Sequence, residues 1–283
     1  MRERILAEIA RDAADPALDR RALPRFYEHG AVVENAVVLF HGFTNCPQQF
    51  DELARRFHAA GCNVYVPRIP GHGRKDRLTL ELAQLTIEEL QGSANDAYEL
   101  ARGLGTRVSV VGISLGGSMA AWLAQTAPVD LAVPVAPFLM PIVLPESIGL
   151  PVMRLVDALP DLYVFWDPRV KEKCLPDYAY PGFPTHGLAQ CIFLGDAVIE
   201  RAAKAKPLAR RCTLVTNANE SAVNNGVARS LLAAWRRGGA DYAELVLREL
   251  GPPRHDVVDP TTFPQARTLV YPKLEDLVLS RRV

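Results

Sequence analysis

Apolar runs and helical repeats alternate along most of the chain. An unbroken apolar run at 36–40 predicts a strand that is covered on both faces, as in a parallel sheet. Apolar side chains then recur at helical spacing until Gly61. Further strands are predicted at 63–67, 108–113, 131–136, 212–216 and 244–250, and helices at about 1–20, 87–103, 115–125, 223–236 and from 263. This alternation predicts an α/β fold with a mostly parallel central sheet and helices on both faces.

Residues 137–207 interrupt the alternation of strands and helices. The segment is rich in proline and in aromatic residues, which include Phe138, Tyr163, Phe165, Trp166, Tyr178, Tyr180 and Phe183. A stretch of this length without a strand pattern is usually either functional or disordered, and the aromatic content argues against disorder. We therefore predict a largely helical cap at 137–207, inserted into a core that consists of 1–136 and 208–283.

The overall charge gives no sign of a polyanionic partner. The 283 residues include 32 Lys and Arg and 32 Asp and Glu, so no net field attracts nucleic acid or an anionic membrane. The chain has no run of about 18 apolar residues that could span a membrane, and its first residues lack the apolar core of a signal peptide. These features predict no nucleic-acid partner, no stable membrane insertion and a cytoplasmic location.

The cysteines are scattered, odd in number and never paired as Cys-x-x-Cys. They are Cys46, Cys62, Cys174, Cys191 and Cys212. Such a pattern predicts free thiols in a reducing compartment. No pair of Cys or His residues has the spacing of metal ligands, and we therefore expect no metal site.

The predicted strand at 108–113 runs directly into Gly-Ile-Ser-Leu-Gly-Gly at 112–117. A serine on a tight strand-to-helix turn needs small neighbours, because larger side chains would collide. Such a turn exposes the Ser114 hydroxyl at the carboxyl edge of the sheet. It also places the Leu115 backbone N–H at a helix N-terminus, where the dipole stabilises a developing negative charge. The alternative is an ordinary turn, but the β-rich run before it and the Ala-rich helix after it favour a nucleophile.

A serine nucleophile needs a base within hydrogen-bond reach. Where the serine lies on such a turn, an acid and then a histidine follow it along the chain. Of the six histidines, only His255 lies far downstream, after the last predicted strand. Glu220 is the only carboxylate just after the penultimate strand, and we expect it to orient His255. Its alternative role is a solvated residue at a helix start. Asp256 and Asp259 are its rivals, although Asp256 is adjacent to His255 and poorly placed to face its ring.

The loop after the first strand, His-Gly-Phe-Thr-Asn at 41–45, is expected to supply the second donor to an oxyanion. Gly42 would let the backbone bend sharply, so that the Phe43 N–H points toward a substrate carbonyl. The alternative is that Phe43 is only a core residue.

These motifs resemble the α/β-hydrolase superfamily, in its branch of bacterial carboxylesterases and monoacylglycerol lipases. The resemblance rests on His-Gly-Phe-Thr at 41–44, Pro-Gly-His-Gly at 70–73, the sequence at 112–117 and the late His-Asp. It covers nearly the whole core in the correct order, but not the cap. It implies that the backbone N–H groups of Phe43 and Leu115 form the oxyanion hole. The chain departs from many relatives in having Glu220 in place of Asp and Asn45 in place of Gly.

The sequence thus predicts a serine hydrolase that cleaves carboxylic esters through an acyl-enzyme on Ser114. No metal or organic cofactor is implied. The apolar, aromatic cap suggests a small-molecule ester with an apolar acyl chain as substrate. Thioesterases, acyltransferases and serine peptidases use the same constellation, and a non-catalytic binding protein could share the fold. No sequence pattern fixes the oligomeric state.

Overall fold

The computed structural model describes residues 1–173 and 176–280. The strands are β1 (Arg25–Tyr27), β2 (Val33–Phe40), β3 (Asn63–Val66), β4 (Gly105–Ile113), β5 (Leu131–Val135), β6 (Tyr163–Phe165), β7 (Gly182–Pro184), β8 (Thr213–Asn217) and β9 (Ala243–Leu247). The helices are α1 (Arg2–Ala14), α2 (Asp51–Ala59), α3 (Ile87–Ala101), α4 (Leu115–Thr126), α5 (Glu146–Ala158), α6 (Thr185–Lys204), α7 (Asn225–Arg237), α8 (Ala266–Leu269) and α9 (Tyr271–Leu279).

Seven of these strands form one sheet in the order β1-β3-β2-β4-β5-β8-β9. Strand β1 pairs with β3 in the antiparallel direction, and the other neighbours pair in parallel. The predicted α/β fold with a mostly parallel sheet is therefore confirmed. Each predicted strand of the sheet lies within about three residues of its observed bounds.

The hydrophobic core lies on both faces of the sheet. Side chains of a strand point alternately to its two faces, so Val38 and Phe40 of β2 enter one cluster while Val37 and Leu39 enter the other. The first cluster includes buried residues of α3, α4, α6 and α7, and the second includes those of α2 and α9. Coverage on both faces explains the unbroken apolar sequence of β2.

In the described part of the chain between β5 and β8, the structure has the helices α5 and α6 and a small second sheet. Here β6 and β7 pair in the antiparallel direction, with Tyr163 opposite Pro184. The sequence predicted no strand in this segment, because three-residue strands are too short to show an alternating pattern. Helix α5 packs against α6, and α6 packs in turn against α4 and α7 of the main helical layer. We call residues 137–207 the cap segment.

The N-terminal region differs most from its prediction. Helix α1 ends at Ala14 rather than near residue 20, and the antiparallel strand β1 was not predicted. The structure describes four cysteines, all free and buried: Cys46, Cys62, Cys191 and Cys212. Cys174 lies outside the described residues. Among the described helices, none has both the length and the apolar character that crossing a bilayer requires.

Candidate active site

Ser114 occupies the turn between β4 and α4 with a strained backbone. Its dihedral angles are φ 57° and ψ −118°, in a region that non-glycine residues rarely adopt. Its N–H donates to Val135 O at 3.0 Å, and its carbonyl accepts the N–H groups of Ser118 at 2.9 Å and Phe138 at 3.0 Å. Because the neighbouring strand, the helix and the start of the cap segment all hold this residue, its strained conformation can persist.

The glycines around Ser114 are required by the close approach of backbone atoms. A Cβ at Gly112 would lie 2.0 Å from Gly116 O, and a Cβ at Gly116 would lie 2.0 Å from Phe40 O. A Cβ at Gly117 would lie 2.8 Å from Val135 O. Backbone carbonyls cannot move aside as a flexible side chain can, so the small residues expected on this turn are needed for packing.

His255 and Glu220 are hydrogen-bonded to one another. His255 Nδ1 lies 2.8 Å from Glu220 Oε1. The same carboxylate oxygen accepts the backbone N–H groups of Ser221 at 2.9 Å, Ala222 at 2.8 Å and Val223 at 3.3 Å. The loop after β8 thus fixes the carboxylate, and the carboxylate fixes the orientation of the imidazole. Since an ionised carboxylate only accepts, the proton of this bond lies on Nδ1.

Glu220 is held in its ionised form despite its burial. Burial acts to raise its pKa, but the hydrogen bond and the charge interaction with His255 and the backbone N–H groups of Ala222 and Val223 outweigh it. The pKa of Glu220 therefore lies below its ordinary value. An ionised carboxylate at this position would stabilise a positive charge on the imidazole of His255.

The two rival carboxylates face other partners. Asp256 Oδ2 accepts Gln49 Nε2 at 2.8 Å, and Asp256 Oδ1 accepts two backbone N–H groups of the residues that follow. Asp259 accepts the Tyr178 hydroxyl of the cap segment. Among the described residues, Glu220 is thus the carboxylate that contacts His255.

The oxyanion loop, residues 41–45, bends at Thr44 rather than at Gly42. Thr44 has a φ of 64°, in the left-handed region. The expectation that Gly42 supplies the bend is wrong, because Gly42 is not among the residues with positive φ. A Cβ at Gly42 would instead stand 3.5 Å from Ser114 Cβ. The glycine therefore keeps open the space beside the serine.

Two bonds from the cap segment hold Thr44 in place. Tyr180 N–H donates to Thr44 O at 2.8 Å, and Trp166 Nε1 donates to Thr44 Oγ1 at 2.9 Å. A threonine has no intrinsic preference for this conformation. The cap segment therefore stabilises the bend that follows Phe43.

Phe43 has both a packed side chain and an available backbone donor. Its ring is buried, with its centroid 5.8 Å from that of Phe183. In the described part of the chain, neither the Phe43 N–H nor the Leu115 N–H donates to a protein acceptor. Leu115 begins α4, where the first N–H groups have no partner within the helix. Both N–H groups are therefore free to bind an incoming oxyanion.

One cavity of about 590 Å³ joins Ser114, His255 and Phe43. Ser114, His255, Phe43 and Gln49 all line it. Much of the remaining wall is apolar and comes from the cap segment, with Phe138, Ile142, Val143, Leu144, Met153, Trp166, Phe183 and Leu188. A cavity of this size and lining suits a small molecule with an apolar portion.

The other histidines near the site are neutral structural residues. His41 Nε2 accepts Ile69 N–H at 3.1 Å, so its proton is on Nδ1, which donates to Gly42 O at 2.9 Å. Burial lowers the pKa of His41 well below its ordinary value and that of His72 to about 4. Within the described residues, the only histidine that lines the cavity is His255. In that same part of the chain, no group of three or more His, Cys, Asp or Glu could hold a metal ion.

Comparison with known proteins shows which family shares this architecture. A model of the alpha/beta hydrolase family matches residues 37–275. The thermostable monoacylglycerol lipase of Bacillus sp. strain H-257 is 31% identical over 107 residues, which are 38% of this chain and 40% of that protein. The carboxylesterase of Bacillus subtilis strain 168 is 30% identical over 102 residues, which are 36% of this chain and 40% of that protein. The chain thus spans about two fifths of the length of these curated relatives in the matched regions.

A solved structure of a metagenome-derived lipolytic enzyme has the same fold. It superposes with a TM-score of 0.66 at 21% sequence identity, over 91% of this chain and 99% of that one. The family match extends from within β2 to within α9 and therefore includes the Ser114 turn, the loop that carries Glu220, and His255. This chain belongs to the alpha/beta hydrolase family.

Proposed function

We propose that this protein is a serine hydrolase that cleaves carboxylic esters through an acyl-enzyme on Ser114. The observation that carries the proposal is a histidine that lines the same cavity as the strained serine and whose Nδ1 lies 2.8 Å from a buried carboxylate. The lipase and carboxylesterase relatives support the same reaction class. A binding protein would have no need to retain a serine in so costly a conformation.

In the proposed reaction, Ser114 Oγ attacks the ester carbonyl while His255 Nε2 takes its proton. Glu220 stabilises the imidazolium and keeps the proton on Nδ1. The oxyanion accepts hydrogen bonds from the Phe43 and Leu115 N–H groups. Collapse of the intermediate breaks the ester C–O bond, and His255 gives its proton to the leaving alcohol. In the second half, His255 takes a proton from the water that attacks the acyl-enzyme. It returns that proton to Ser114 Oγ as the acyl C–O bond breaks, which releases the acid and regenerates the serine hydroxyl. Apart from the water, the groups that act in these steps all belong to the chain.

The substrate we propose is a small-molecule ester with an apolar acyl chain. The apolar wall from the cap segment supports this choice, since such surface gains free energy by covering hydrocarbon. We also propose the division into a catalytic core, 1–136 and 208–283, and a cap, 137–207, whose helix α6 packs on the core.

The remaining proposals concern partners and location. Equal numbers of acidic and basic residues support a protein that binds neither nucleic acid nor a membrane core. Four buried free thiols support a reducing, cytoplasmic compartment.

Hydrolysis of p-nitrophenyl esters of graded chain length tests the proposal. Ser114→Ala should lower kcat by about 10⁴-fold or more, because the nucleophile is lost. Ser230→Ala is the matched control, since it makes the same change at an exposed position of α7. The control should keep kcat within a few-fold of wild type. Wild-type rates in folded Ser114→Ala would refute the nucleophile assignment. Turnover of thioesters or peptides with no turnover of esters would move the function to one of those classes.

A further inference from the structure

Gln49 lies buried between two loops that carry the proposed catalytic groups. It belongs to the short 3-10 turn that precedes α2, and 3% of its surface is exposed. Its Oε1 accepts the Gly42 N–H at 2.8 Å. Its Nε2 donates to Asp256 Oδ2, also at 2.8 Å. One carboxamide thus joins the residue before Phe43 to the residue after His255.

The partners fix the orientation of this carboxamide. A backbone N–H such as that of Gly42 can only donate, and an ionised carboxylate can only accept. The Gln49 oxygen must therefore face Gly42 and its nitrogen must face Asp256. If the amide were reversed, donor would face donor at one end and acceptor would face acceptor at the other.

Both partners of Gln49 are themselves held firmly. Asp256 Oδ1 accepts the N–H groups of Val258 at 3.1 Å and Asp259 at 3.0 Å, which leaves Oδ2 for Gln49. At the other end, Gly42 O accepts the Nδ1 proton of the neutral His41 at 2.9 Å. The bridge therefore connects two loops that are each held by further hydrogen bonds of their own.

We propose that Gln49 is a positioning residue that couples the oxyanion loop to the loop that carries His255. It acts through Gly42 and Asp256 and sets the distance and angle between the Phe43 N–H and the imidazole. This role rests on the proposed function, because the two groups must act on one carbonyl in the same step. Misplacement of reacting groups by about 1 Å costs on the order of 10²-fold in rate. The loss should fall on kcat, since the apolar wall that would bind the acyl chain is unchanged.

Exchanging the carboxamide of residue 49 and the carboxylate of residue 256 tests the coupling. In Gln49→Glu the new carboxylate still accepts the Gly42 N–H, but it faces Asp256, so two like charges meet without a proton between them. We expect kcat to fall about 10²-fold at pH 8 with little change in KM. The ratio of variant to wild-type kcat should rise as pH falls toward 5, because one shared proton restores the bond.

The double variant Gln49→Glu with Asp256→Asn restores the bridge. The donor of the bond between residues 49 and 256 then lies on residue 256 instead of residue 49. The Asn amide nitrogen would donate to the introduced carboxylate, while its oxygen keeps the two backbone bonds of the loop. We expect kcat within about fivefold of wild type at every pH. In Asp256→Asn alone, the Asn amide nitrogen would face the Gln49 amide nitrogen, so that two donors meet. We expect kcat to fall about tenfold. Gln48→Glu is the matched control, because that neighbour accepts from Arg25, outside the bridge, and it should match wild type.

Each result decides between coupling and its alternatives. A double variant no faster than Gln49→Glu would overturn the proposal, as would a loss that appears in KM alone and is independent of pH. The latter would mean that Gln49 contacts substrate directly. Thermal melts show whether each variant folds. If Gln49→Glu does not fold, the Asp256→Asn single and double variants still decide the question. Covalent labelling of wild-type Ser114 by a fluorophosphonate separates the two proposals. Without labelling, the proposed function fails; with labelling and no rescue, only the coupling fails.

Discussion

Replacing Glu220 by Gln removes the charge beside His255 and keeps the shape of the side chain. The backbone N–H groups of residues 221–223 hold Oε1, so in the variant the amide oxygen remains toward the imidazole. The proton therefore stays on Nδ1, and the variant tests charge rather than tautomer. For two unit charges 2.8 Å apart, Coulomb's law at an effective dielectric constant of about 20 gives about 6 kcal/mol.

That Coulomb energy is an upper limit for the loss in the transition state. The amide oxygen keeps a neutral hydrogen bond of about 1 kcal/mol, and His255, whose side chain is 24% exposed, is partly screened by water. A net loss of about 3 to 4 kcal/mol remains, which corresponds to a fall in kcat of about 10²- to 10³-fold at about 1.4 kcal/mol per tenfold.

The assay is steady-state hydrolysis of p-nitrophenyl butyrate at pH 8 by Glu220→Gln and Asp256→Asn, each checked for its fold by circular dichroism. We expect the first to lose 10²- to 10³-fold in kcat and the second only about tenfold. KM should change little in both. A larger loss in Asp256→Asn than in Glu220→Gln would move the acid to Asp256 and refute the reasoning.

Three further predictions concern stability and the cap segment. Gly116→Ala should lower the melting temperature by more than about 10 °C, because its Cβ would lie 2.0 Å from a backbone carbonyl. The control is Gly92→Ala in α3, where a Cβ meets nothing within 4 Å, and its free energy of unfolding should rise by about 1 kcal/mol. Equal melting temperatures of the two variants would contradict this prediction. Trp166→Phe removes the hydrogen bond from the indole N–H to Thr44 Oγ1 in the oxyanion loop and should lower kcat by about three- to tenfold. An unchanged kcat would show that this bond from the cap segment does not support the loop. Burial and the charge of Asp256 raise the pKa of Asp259 to about 6, above its unfolded value of about 3.9. The contribution of Asp259 to folded stability therefore falls as pH rises through this window. Asp259→Asn should raise the free energy of unfolding at pH 7 by about 2 kcal/mol and not at pH 3.5 in urea titrations. A gain that does not depend on pH would contradict this prediction.

The serine turn could be predicted from the sequence because its determinants are local. Backbone crowding around Ser114 requires small residues within a few positions, and the strand and helix on either side have clear periodicity. Glu220 could be singled out because strands of a parallel sheet place their following loops at one edge. The sequence therefore identified the carboxylate that contacts His255.

The support of the site could not be predicted, because it depends on contacts between distant residues. Gln49 and Asp256 are separated by 207 positions, and no sequence pattern relates the one to the other. Thr44 adopts its left-handed conformation where the cap segment holds it, and its residue type would favour another. Strand β1 has three residues, which is too few to show an alternating pattern.

The most direct test of the central claim is the mass of the intact protein after reaction with a fluorophosphonate, followed by mapping of the modified peptide. The account predicts one phosphonyl group per chain, located on Ser114, and no addition to Ser114→Ala. It also predicts slow addition to His255→Ala, because the serine then lacks its base. Folded wild-type protein that stays unmodified, or carries the group on another residue, would contradict the assignment of Ser114 as the nucleophile.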